Sequence, residues 1–496
     1  MTSILYVWMP TEKIYPGGPI YLADYVHKKT DAEQKILDLS LIDKKDRTKK
    51  LRQEIDTFDP DIIAFSWRNI QLFSPKQDDP SLENAFKFLY SRNPVDKISA
   101  ALFGVKSIFR SVTNTQEIVG YINKSRESYD KKIVVGGSAF SVFPDQIITK
   151  LKEGIIGITG EGEDVILKII EGREKEELLD ERIVYRKGKE IIKGEQKEYV
   201  KMEDFTHLDF EYIKEAFPQF KEYENSYIGI QTKRGCPYGC IFCSYPFIEG
   251  KRLRFKKPDI LAEEVLTLHQ NYGIKKFWFT DSNFISAKKT IPHCNEFLRR
   301  IIEGGADIEW GGYIRIDFIN QELAKNMVDS GIKHFELSLT SGSQRVADFM
   351  HMGFKLKNVF RACEMIKDAG YNNQEVIINY SLNAPTETKE SLQESIDTYR
   401  KICGYFGEEN VKPYLFFLGI QPHTHLEEYA IENKMISPDY NPLAITPGNA
   451  KKLIYNPPPF NKLIARIYLG AMKKQDRREN IGKHVLLELE EKLKRP

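Results

Sequence analysis

The sequence predicts an α/β protein: a doubly wound, Rossmann-like parallel sheet, then a partial (β/α)6 barrel and a small, mainly helical C-terminal region. Three observations lead to this fold class. Short, continuous apolar runs alternate with helix-like segments over about the first 170 residues, as in parallel sheets covered on both faces. A second alternating series with about six strand-like runs begins near Tyr227. The segment after about Ile431 is rich in proline and then becomes helical in pattern.

The composition is that of a folded, globular protein. The chain has 496 residues, of which 41% are hydrophobic and 29% charged, and this excludes global disorder. Because 73 Lys and Arg residues balance 71 Asp and Glu residues, the net charge of +2 gives no reason to expect a nucleic-acid partner. No run of about 18 apolar residues predicts a transmembrane helix, and the start lacks a secretory signal pattern. We therefore expect a cytoplasmic protein.

The sequence divides into four predicted regions. These are a doubly wound domain (1–172), a linker (173–225), a barrel (226–430) and a C-terminal helical region (431–496). The linker is dense in charge, and its sequence predicts a β-hairpin around Arg186–Lys189. The last region is expected to form two helices, Asn461–Met472 and Ile481–Leu493, the first with an apolar face. That face predicts packing against the barrel; contact with an anionic membrane or a phosphorylated substrate is the alternative.

Five predicted strands form the sheet of the first domain. They are Ile4–Trp8, Ile36–Leu39, Ile62–Ser66, Ile133–Gly137 and Ile155–Ile158. In such sheets ligands bind beyond the carboxyl ends of the strands, so the residues there are candidate contacts. These candidates are Pro16, Gly17, Gly18, Trp67, Arg68, Asn69, Gly136, Gly137, Ser138, Gly160 and Glu161. The less regular stretch Gln71–Tyr121, with a turn-rich loop at Ser74–Pro80 and helical segments after it, is interpreted as an elaboration over this edge.

Six predicted strands form the barrel. They are Ile228–Ile230, Lys276–Thr280, Ile308–Trp310, Phe335–Leu339, Val376–Tyr380 and Tyr414–Phe417. Barrel enzymes place their chemistry at the carboxyl ends of the strands. Tyr380 and Tyr414 lie at such ends and are candidates to line a substrate pocket as catalytic residues, with core packing as the alternative.

Three cysteines are the most specific feature of the sequence. Cys236, Cys240 and Cys243 follow the first barrel strand with CxxxCxxC spacing. Three thiolates on one short loop can bind a single [4Fe–4S] cluster and leave one of its irons open. Gly239 lets the loop wrap closely, and Phe242 can pack beside the cluster. The alternatives are a structural zinc site that lacks its fourth ligand, and three unconnected thiols.

The cysteine motif and four later segments together resemble the radical SAM superfamily. Lys276–Phe284 resembles its second-strand segment, and Trp310–Asp317 its third-strand segment. Ser341–Arg345 resembles the "ESGSQ" region, and Asn383–Thr388 the "GxPxET" region. The resemblance covers the chain from about 226 to 430.

The resemblance implies that S-adenosylmethionine (SAM) binds the open iron through its amino and carboxylate groups. One electron, supplied by an external flavodoxin- or ferredoxin-type reductant, would then release a 5′-deoxyadenosyl radical. Asp281, Arg315, Ser341 and Glu387 would contact SAM or support its contacts; for each, the alternative is an ordinary polar residue on a surface loop. Thr340 departs from the family pattern, because it stands where relatives usually carry a glutamate and cannot pair with the SAM ammonium group.

A doubly wound domain upstream of such a barrel resembles the cobalamin-binding subgroup, which implies cobalamin over the strand ends. The glycine pair at 136–137 would let the macrocycle approach the backbone closely. No histidine occurs between His27 and His207, so this stretch supplies no axial histidine to cobalt. Trp67, Arg68 and Asn69 are the candidates for the face beneath the corrin. The alternative is a domain that binds no cofactor.

These features predict a cobalamin-dependent radical SAM methyltransferase that acts on an unactivated carbon under anaerobic conditions. A non-methylating radical SAM enzyme is the alternative, catalysing oxidative cyclisation or C–C coupling on a tetrapyrrole, lipid or natural product, with or without cobalamin. A cluster-bearing electron carrier or scaffold is a third possibility. The barrel motifs specify the cofactor rather than the substrate, so a small molecule, a lipid and a peptide all stay open.

Overall fold

The fold was analysed in a computed structural model. It describes residues 1–10, 13–68, 80–195, 199–202, 205–372, 374–443, 454–473 and 477–494. Two predicted features, Asn69 and most of the loop at 74–80, lie outside the described residues.

The first sheet has seven strands. They are β1 (Ser3–Trp8), β2 (Glu33–Asp38), β3 (Ile62–Ser66), β4 (Lys132–Gly136), β5 (Ile156–Ile158), β6 (Ile183–Lys187) and β7 (Glu190–Lys193). Their order is β2-β1-β3-β4-β5-β6-β7. The first five pair in parallel, and the predicted hairpin, β6–β7, extends the sheet in antiparallel fashion. The predicted doubly wound parallel sheet is confirmed, and the direction of winding reverses between β1 and β3.

The central strands of this sheet are buried on both faces. Neighbouring residues, whose side chains point to opposite faces, are buried in each strand: Ile4 and Leu5 in β1, Ile62 and Ile63 in β3, and Val134 and Val135 in β4. Parallel strands covered by helices on both sides have to be apolar throughout, which explains the continuous apolar runs in the sequence. The core of this part of the chain therefore follows directly from the strand pattern.

Ten α-helices are described within residues 1–272. They are α1 (Gly17–His27), α2 (Arg47–Phe58), α3 (Pro80–Tyr90), α4 (Pro94–Ser128), α5 (Ser138–Val142), α6 (Pro144–Ile148), α7 (Glu163–Ile170), α8 (Phe210–Ala216), α9 (Tyr245–Glu249) and α10 (Pro258–Tyr272). The helical segments predicted within Gln71–Tyr121 are thus α3 and the 35-residue helix α4.

Among the described residues, the second series contains eight strands. They are β8 (Ile228–Ile230), β9 (Lys233–Arg234), β10 (Arg254–Phe255), β11 (Lys276–Phe279), β12 (Glu309–Ile314), β13 (Ile332–Thr340), β14 (Val376–Ser381) and β15 (Val411–Phe416). Six of them form one sheet in the order β15-β14-β13-β12-β11-β8, and β9 pairs with β10. The pairs from β12 to β15 are parallel. The prediction of six αβ units is confirmed, although β12 and β13 extend beyond their predicted limits.

Eight further α-helices are described after residue 280. They are α11 (Ile291–Glu303), α12 (Gln321–Asp329), α13 (Gln344–Phe349), α14 (Leu356–Asp368), α15 (Lys389–Phe406), α16 (His425–Glu432), α17 (Asn461–Met472) and α18 (Arg477–Leu493). The predicted bounds of α17 agree with the structure, and Ile464, Ile467 and Tyr468 on its apolar face are buried. The Phe86 ring of α3 packs edge-on against Tyr468, 5.3 Å between centroids. The Tyr468 ring also lies 6.3 Å, between centroids, from the ring of Phe417 at the end of the last predicted barrel strand, so the predicted packing against the barrel is confirmed.

The chain forms two compact units that are each discontinuous in sequence. The first unit comprises residues 1–70, 113–235 and 247–278, and the second comprises 71–112, 236–246 and 279–496. The division into regions 1–172, 173–225, 226–430 and 431–496 stays a prediction. Among the described residues, no helix is both long and apolar enough to cross a membrane.

Candidate functional site

The cysteine loop of the second unit is tied to its surroundings by main-chain hydrogen bonds. The Ile241 amide donates to the Met350 carbonyl at 3.2 Å, and the Leu426 amide donates to the Ile241 carbonyl at 2.7 Å. The Cys243 amide donates to the Cys240 carbonyl at 3.0 Å and closes a turn between these two candidate ligands. Two further chain segments of the second unit thus fix the loop in place.

Arg315 holds the cysteine loop through an aromatic contact. Its guanidinium carbon lies 3.8 Å from the centroid of the Tyr238 ring. Tyr238 stands between the first two cysteines in the sequence. Arg315 Nε donates to Asp317 Oδ1 at 2.9 Å, and Nη1 donates to the Met352 carbonyl at 2.8 Å. Both members of this ion pair are buried, so the guanidinium is fixed over the ring. The sequence analysis selected Arg315 but not Tyr238. The signal that could have indicated Tyr238 was its position, as an aromatic residue between two candidate cysteine ligands.

The electrostatics of the loop favour the protonated form of the Cys240 thiol. Burial and, to a smaller extent, the nearby Cys236 raise the pKa of Cys240 to about 11, although the positive charge of Arg315 opposes the shift. Burial likewise raises the pKa of Tyr238 to about 12. Because thiolates are the form that binds iron, binding a cluster would release the Cys240 proton.

The donor set of the loop fits an iron–sulfur cluster. Three thiols are soft ligands of the kind that hold such clusters, and Cys236 is buried while Cys240 and Cys243 are half-buried. A Cβ atom at Gly239 would meet no heavy atom within 4 Å, so the loop has free space beside this residue. In the described part of the chain, no group of three or more His, Cys, Asp or Glu side chains is arranged around a single metal ion. A cubane does not require such convergence, since each thiolate binds a different iron.

The turn after β13 packs against helix α15. The Gly342 amide donates to Ser395 Oγ at 3.0 Å, and the Ser341 hydroxyl accepts the Ser343 amide at 3.1 Å. Ser341 is therefore a buried residue that shapes the turn, and not a polar residue on a surface loop. Asp281, which follows β11, also has no exposed surface.

Thr340 adopts a backbone conformation that is uncommon for its residue type. Its φ angle is +61°, in the left-handed region that a β-branched side chain disfavours. It is the last residue of β13, is buried, and pairs with Tyr380 of β14. Backbone strain is thus localised at the position where relatives usually carry a glutamate.

Glu387 lies in a second turn, immediately before helix α15. The Ser391 hydroxyl donates to its Oε1 at 2.6 Å. Burial raises the pKa of Glu387 to about 7, although the hydrogen bond from Ser391 acts in the opposite direction. Near neutral pH this carboxyl group is therefore partly protonated, and it can donate as well as accept a hydrogen bond.

The two candidate tyrosines lie on opposite faces of the second sheet. Tyr380 has no exposed surface, and its hydroxyl donates to the Ser395 carbonyl at 3.1 Å, which is a core-packing contact. Tyr414 is half-buried and pairs with Asn379, so these two side chains share the other face. Glu336, which the sequence analysis did not select, is half-buried on the same face; burial raises the pKa of its carboxyl group, and the nearby Asn379 side chain opposes the shift. This face therefore presents half-buried polar groups, whereas Tyr380 does not reach it.

In the first unit, two of the predicted strand-end segments lie against each other. A Cβ atom at Gly137, whose φ is +93°, would lie 2.5 Å from the Trp67 carbonyl oxygen. The Ala139 amide donates to that oxygen at 3.0 Å, and the Ser138 hydroxyl donates to the Arg68 carbonyl at 2.8 Å. The close approach that requires glycine at 137 is thus made by the Trp67 backbone of the same chain, and the Trp67 side chain is buried.

Glu161 belongs to a buried ion-pair network of the first unit. Its carboxylate lies 2.6 Å from Arg254 Nη1 and 3.5 Å from Arg234 Nη1, and it accepts the Val200 amide at 3.0 Å. Arg234, two residues before Cys236, also pairs with Glu163 at 2.5 Å. Burial alone would raise the pKa of Glu163, but the Arg234 guanidinium holds it below its usual value. The network anchors the chain immediately before the cysteine loop, and it engages the Glu161 carboxylate within the protein.

The segment after β1 contains free space and two unpartnered polar atoms. A Cβ atom at Gly18, in the first turn of α1, would meet nothing within 4 Å. Among the described residues, Trp8 Nε1 and Tyr15 Oη are buried without a hydrogen-bond partner. Trp8 ends β1 and Tyr15 immediately precedes Pro16 and Gly17, so these atoms lie in the segment where the winding of the sheet reverses. Such a site fits a ligand that carries polar groups.

Residues 230–399 match the family model of the Radical SAM superfamily. The "Uncharacterized methyltransferase PH0819" of Pyrococcus horikoshii is 30% identical over 208 residues, which are 42% of this chain and 42% of that protein. The "Anaerobic magnesium-protoporphyrin IX monomethyl ester cyclase" of Cereibacter sphaeroides is 24% identical over 54% of this chain and 44% of its own length. The chain thus spans about half the length of the curated relatives that it matches.

Two solved structures share the fold over most of the chain. The radical SAM methyltransferase TsrM from Kitasatospora setae, with cobalamin and a [4Fe–4S] cluster bound, superposes with a TM-score of 0.70 at 15% identity, covering 96% of this chain and 92% of its own. The cobalamin-dependent SAM radical enzyme OxsB superposes with a TM-score of 0.67 at 13% identity, covering 95% and 67%. The resemblance that the sequence motifs indicated is confirmed by the family match and, for the fold, by these structures.

Proposed function

We propose that this chain, which carries a radical SAM domain over residues 230–399, is a cobalamin-dependent methyltransferase that acts on an unactivated carbon. One observation carries the proposal: three cysteines with CxxxCxxC spacing lie on one anchored loop inside the matched domain. The names and titles of several relatives and solved structures, which include methyltransferases, support the reaction type.

In this proposal Cys236, Cys240 and Cys243 hold a [4Fe–4S] cluster and leave one iron for SAM. With the cluster and SAM bound there, the site would supply a 5′-deoxyadenosyl radical for hydrogen abstraction. Arg315 acts through Tyr238: it fixes the loop and so the positions of the thiols. The half-buried face with Glu336, Asn379 and Tyr414 binds and orients the substrate, and Tyr380 supports this sheet from its opposite side.

The contacts to SAM are part of the same proposal. Asp281, Ser341 and Glu387 lie in segments that follow barrel strands, and Phe242 lies within the cysteine loop. Thr340 offers a hydroxyl where relatives usually have a carboxylate, so the SAM ammonium group needs another partner. Glu387 retains a carboxyl group for hydrogen bonding in that region.

Cobalamin is assigned to the carboxyl edge of the first sheet. The reversal of winding between β1 and β3, the space at Gly18 and the unpartnered atoms of Trp8 and Tyr15 support this assignment. Bound cobalamin would carry the methyl group to be transferred. Pro16, Gly17, Arg68, Gly136 and Gly160 line the loops of this edge, whereas Gly137, Trp67, Ser138 and Glu161 shape it from within.

A non-methylating radical SAM enzyme is the second candidate. The match to a magnesium-protoporphyrin ester cyclase favours it, because that relative aligns over 54% of this chain. The products distinguish the two candidates. A methyltransferase forms both S-adenosylhomocysteine and 5′-deoxyadenosine, and a cyclase or coupling enzyme forms 5′-deoxyadenosine alone.

The proposal includes a working environment. The enzyme would receive electrons from an external flavodoxin- or ferredoxin-type protein, act in an anaerobic cytoplasm, and take a small molecule, lipid or peptide as substrate. The balanced charge of the chain supports no role for nucleic acid.

The test begins with protein that is purified and reconstituted without oxygen. We expect a visible spectrum with iron–sulfur and corrin absorption, and a spectral change on addition of SAM. Replacing Cys236, Cys240 or Cys243 by alanine should abolish the iron–sulfur absorption, whereas Cys403→Ala, at a half-buried cysteine outside the loop, should retain it. Full iron content in all three loop variants would overturn the proposal, and S-adenosylhomocysteine without 5′-deoxyadenosine would exclude radical chemistry.

A further inference from the structure

A cleft in the second unit lies apart in sequence from the cysteine loop. It has a volume of about 370 Å³ and lies between the end of α3, the start of α4 and the C-terminal half of α17. The contact of Phe86 in α3 with Tyr468 in α17 holds two of its walls together. The cleft is thus built by helices that pack through buried aromatic rings.

Positive charge dominates the lining of this cleft. Four cationic side chains contribute to it, those of Lys87, Arg92, Arg466 and Lys473, and Asp96 is the one carboxylate among the lining residues. The long, flexible cations thus meet around a space that a ligand can enter. A cleft lined in this way concentrates anions.

Internal ion pairs do not account for all of these cations. Lys87 Nζ lies 2.7 Å from Glu83 Oε1, and Lys473 Nζ lies 3.7 Å from Asp96 Oδ2. Among the described residues, Arg92 and Arg466 make no ion pair. Helix C-termini attract cations, which explains Lys87 and Lys473, but Arg466 lies in the middle of α17.

The chemistry of the free groups indicates the ligand. A guanidinium presents paired N–H donors that match the oxygens of a phosphate group, and such charge-assisted hydrogen bonds are the stronger ones. The Ser91 hydroxyl in the same lining donates to Asp96 at 2.9 Å, so the two arginines are the groups left for the ligand. A volume of about 370 Å³ is enough for a phosphate group together with part of the molecule that carries it.

We propose that this cleft binds a phosphate group, with Arg92 and Arg466 as its principal ligands. The binding does not require the iron–sulfur cluster or cobalamin, so this proposal stands or falls separately from the proposed function. The phosphate has two possible sources, a soluble phosphate ester or a lipid headgroup. The lipid source merits its own arm of the experiment because Val95, Ile98 and Leu102 form an exposed apolar stripe on α4, next to Asp96.

The experiment is a calorimetric titration of the full chain with inorganic phosphate. We expect binding to weaken with rising salt concentration, and to weaken at least about tenfold in Arg92→Ala/Arg466→Ala, because this double variant loses both sets of charge-assisted hydrogen bonds. Arg361→Ala is the matched control, because Arg361 is an exposed arginine of helix α14 in the same unit. It should bind phosphate as the unmodified chain does.

The second arm uses sedimentation with vesicles of phosphatidylcholine alone, and of equal parts phosphatidylcholine and phosphatidic acid. Phosphate binding together with sedimentation on the acidic vesicles alone supports the proposal with a lipid source. Phosphate binding without sedimentation supports it with a soluble source. The proposal is overturned if phosphate does not bind, if the double variant binds it unchanged, or if Arg361→Ala weakens binding equally.

Discussion

Arg315 connects three separate parts of the second unit at a single side chain. It contacts the Tyr238 ring of the cysteine loop, the Asp317 carboxylate and the Met352 carbonyl. A buried guanidinium with these partners cannot turn away without leaving Asp317 unpaired, at a cost of about 3 kcal/mol or more. The loop residues between the candidate ligands are therefore held by electrostatics as well as by the main chain.

Substitutions of Tyr238 test this role of the aromatic ring. Tyr238→Ala removes the contact with Arg315, worth about 1–2 kcal/mol in a desolvated site, and we expect it to lower the iron content after reconstitution. Tyr238→Phe keeps the ring and should retain iron. Iron analysis of both variants measures the difference. Equal losses in the two variants would mean that the hydroxyl group, and not the ring, matters.

The raised pKa of Glu387 predicts that the stability of the protein depends on pH. Its pKa in the folded chain is about 7, above the value of about 4.3 expected when unfolded. Between these values the folded state binds more protons, so this residue makes stability fall as pH rises. Glu387→Gln removes the titration. As the pH rises from about 5 to about 8, the free energy of unfolding of this variant should therefore increase by about 2 kcal/mol relative to that of the unmodified chain.

Urea unfolding of both proteins at these two pH values measures the gain. An equal difference at both pH values would contradict the raised pKa. Ser391→Ala provides a further check, because losing the hydrogen bond that favours the carboxylate should make the fall in stability steeper.

The turn after β13 packs so closely against helix α15 that it requires glycine at position 342. A Cβ atom at Gly342 would lie 2.6 Å from Ser395 Cα, in the backbone of α15. Gly342→Ala should therefore push the turn away from the helix and destabilise the protein by about 1–3 kcal/mol. Gly404 lies in the same helix with nothing within 4 Å of its Cβ position, and Gly404→Ala should stabilise by about 0.5–1 kcal/mol.

The midpoints of urea unfolding should shift in opposite directions for these two glycine variants. A shift of the same sign for both would show that the close approach of the turn to α15 does not limit stability. Unchanged slopes of the unfolding curves are needed for the comparison.

At the scale of elements, the pattern of apolar residues was sufficient to predict the bounds of a helix or strand that packs against an apolar surface. Helix α17 and strand β3 match their predicted bounds because their apolar patterns start and stop abruptly. Tertiary pairing was not readable from the sequence. Glu161 and Arg254 are separated by 93 residues, and nothing local distinguishes a carboxylate used in a buried ion pair from one that faces a ligand.

The cysteine spacing is the part of the site that the sequence predicted most directly, because ligands on one short loop are necessarily close in space. Tyr238 and Glu336 were missed because their partners, Arg315 and Asn379, come from other strands or loops. Tyr380 and Tyr414 illustrate the same limit. Both follow strand patterns, but the pairing register was needed to show that they lie on opposite faces.

For the whole molecule, the assignments of the cluster to the second unit and cobalamin to the first predict independent loading. Gly18→Trp should fill the free space at the start of α1 and lower cobalamin content while leaving iron content unchanged. Gly18→Ala is the control and should bind both. The triple alanine variant of the loop cysteines should show the converse, with iron lost and cobalamin retained.

Cobalt and iron analyses of the same oxygen-free preparations measure this independence. Full cobalamin content in Gly18→Trp would refute the assignment to the edge near α1. Loss of cobalamin in the cysteine variant would show that the two cofactors depend on each other.

The interleaving of the two units along the chain has a consequence for biosynthesis. The first unit needs the stretch 247–278 to be complete, so its last strand and helix leave the ribosome only after the cysteine loop has emerged. Neither unit can therefore finish folding before part of the other unit has been translated. A nascent chain that has been translated only to about residue 172 contains the first five strands but not α10. We expect the growing chain to need chaperone protection from that point until translation has passed Trp278.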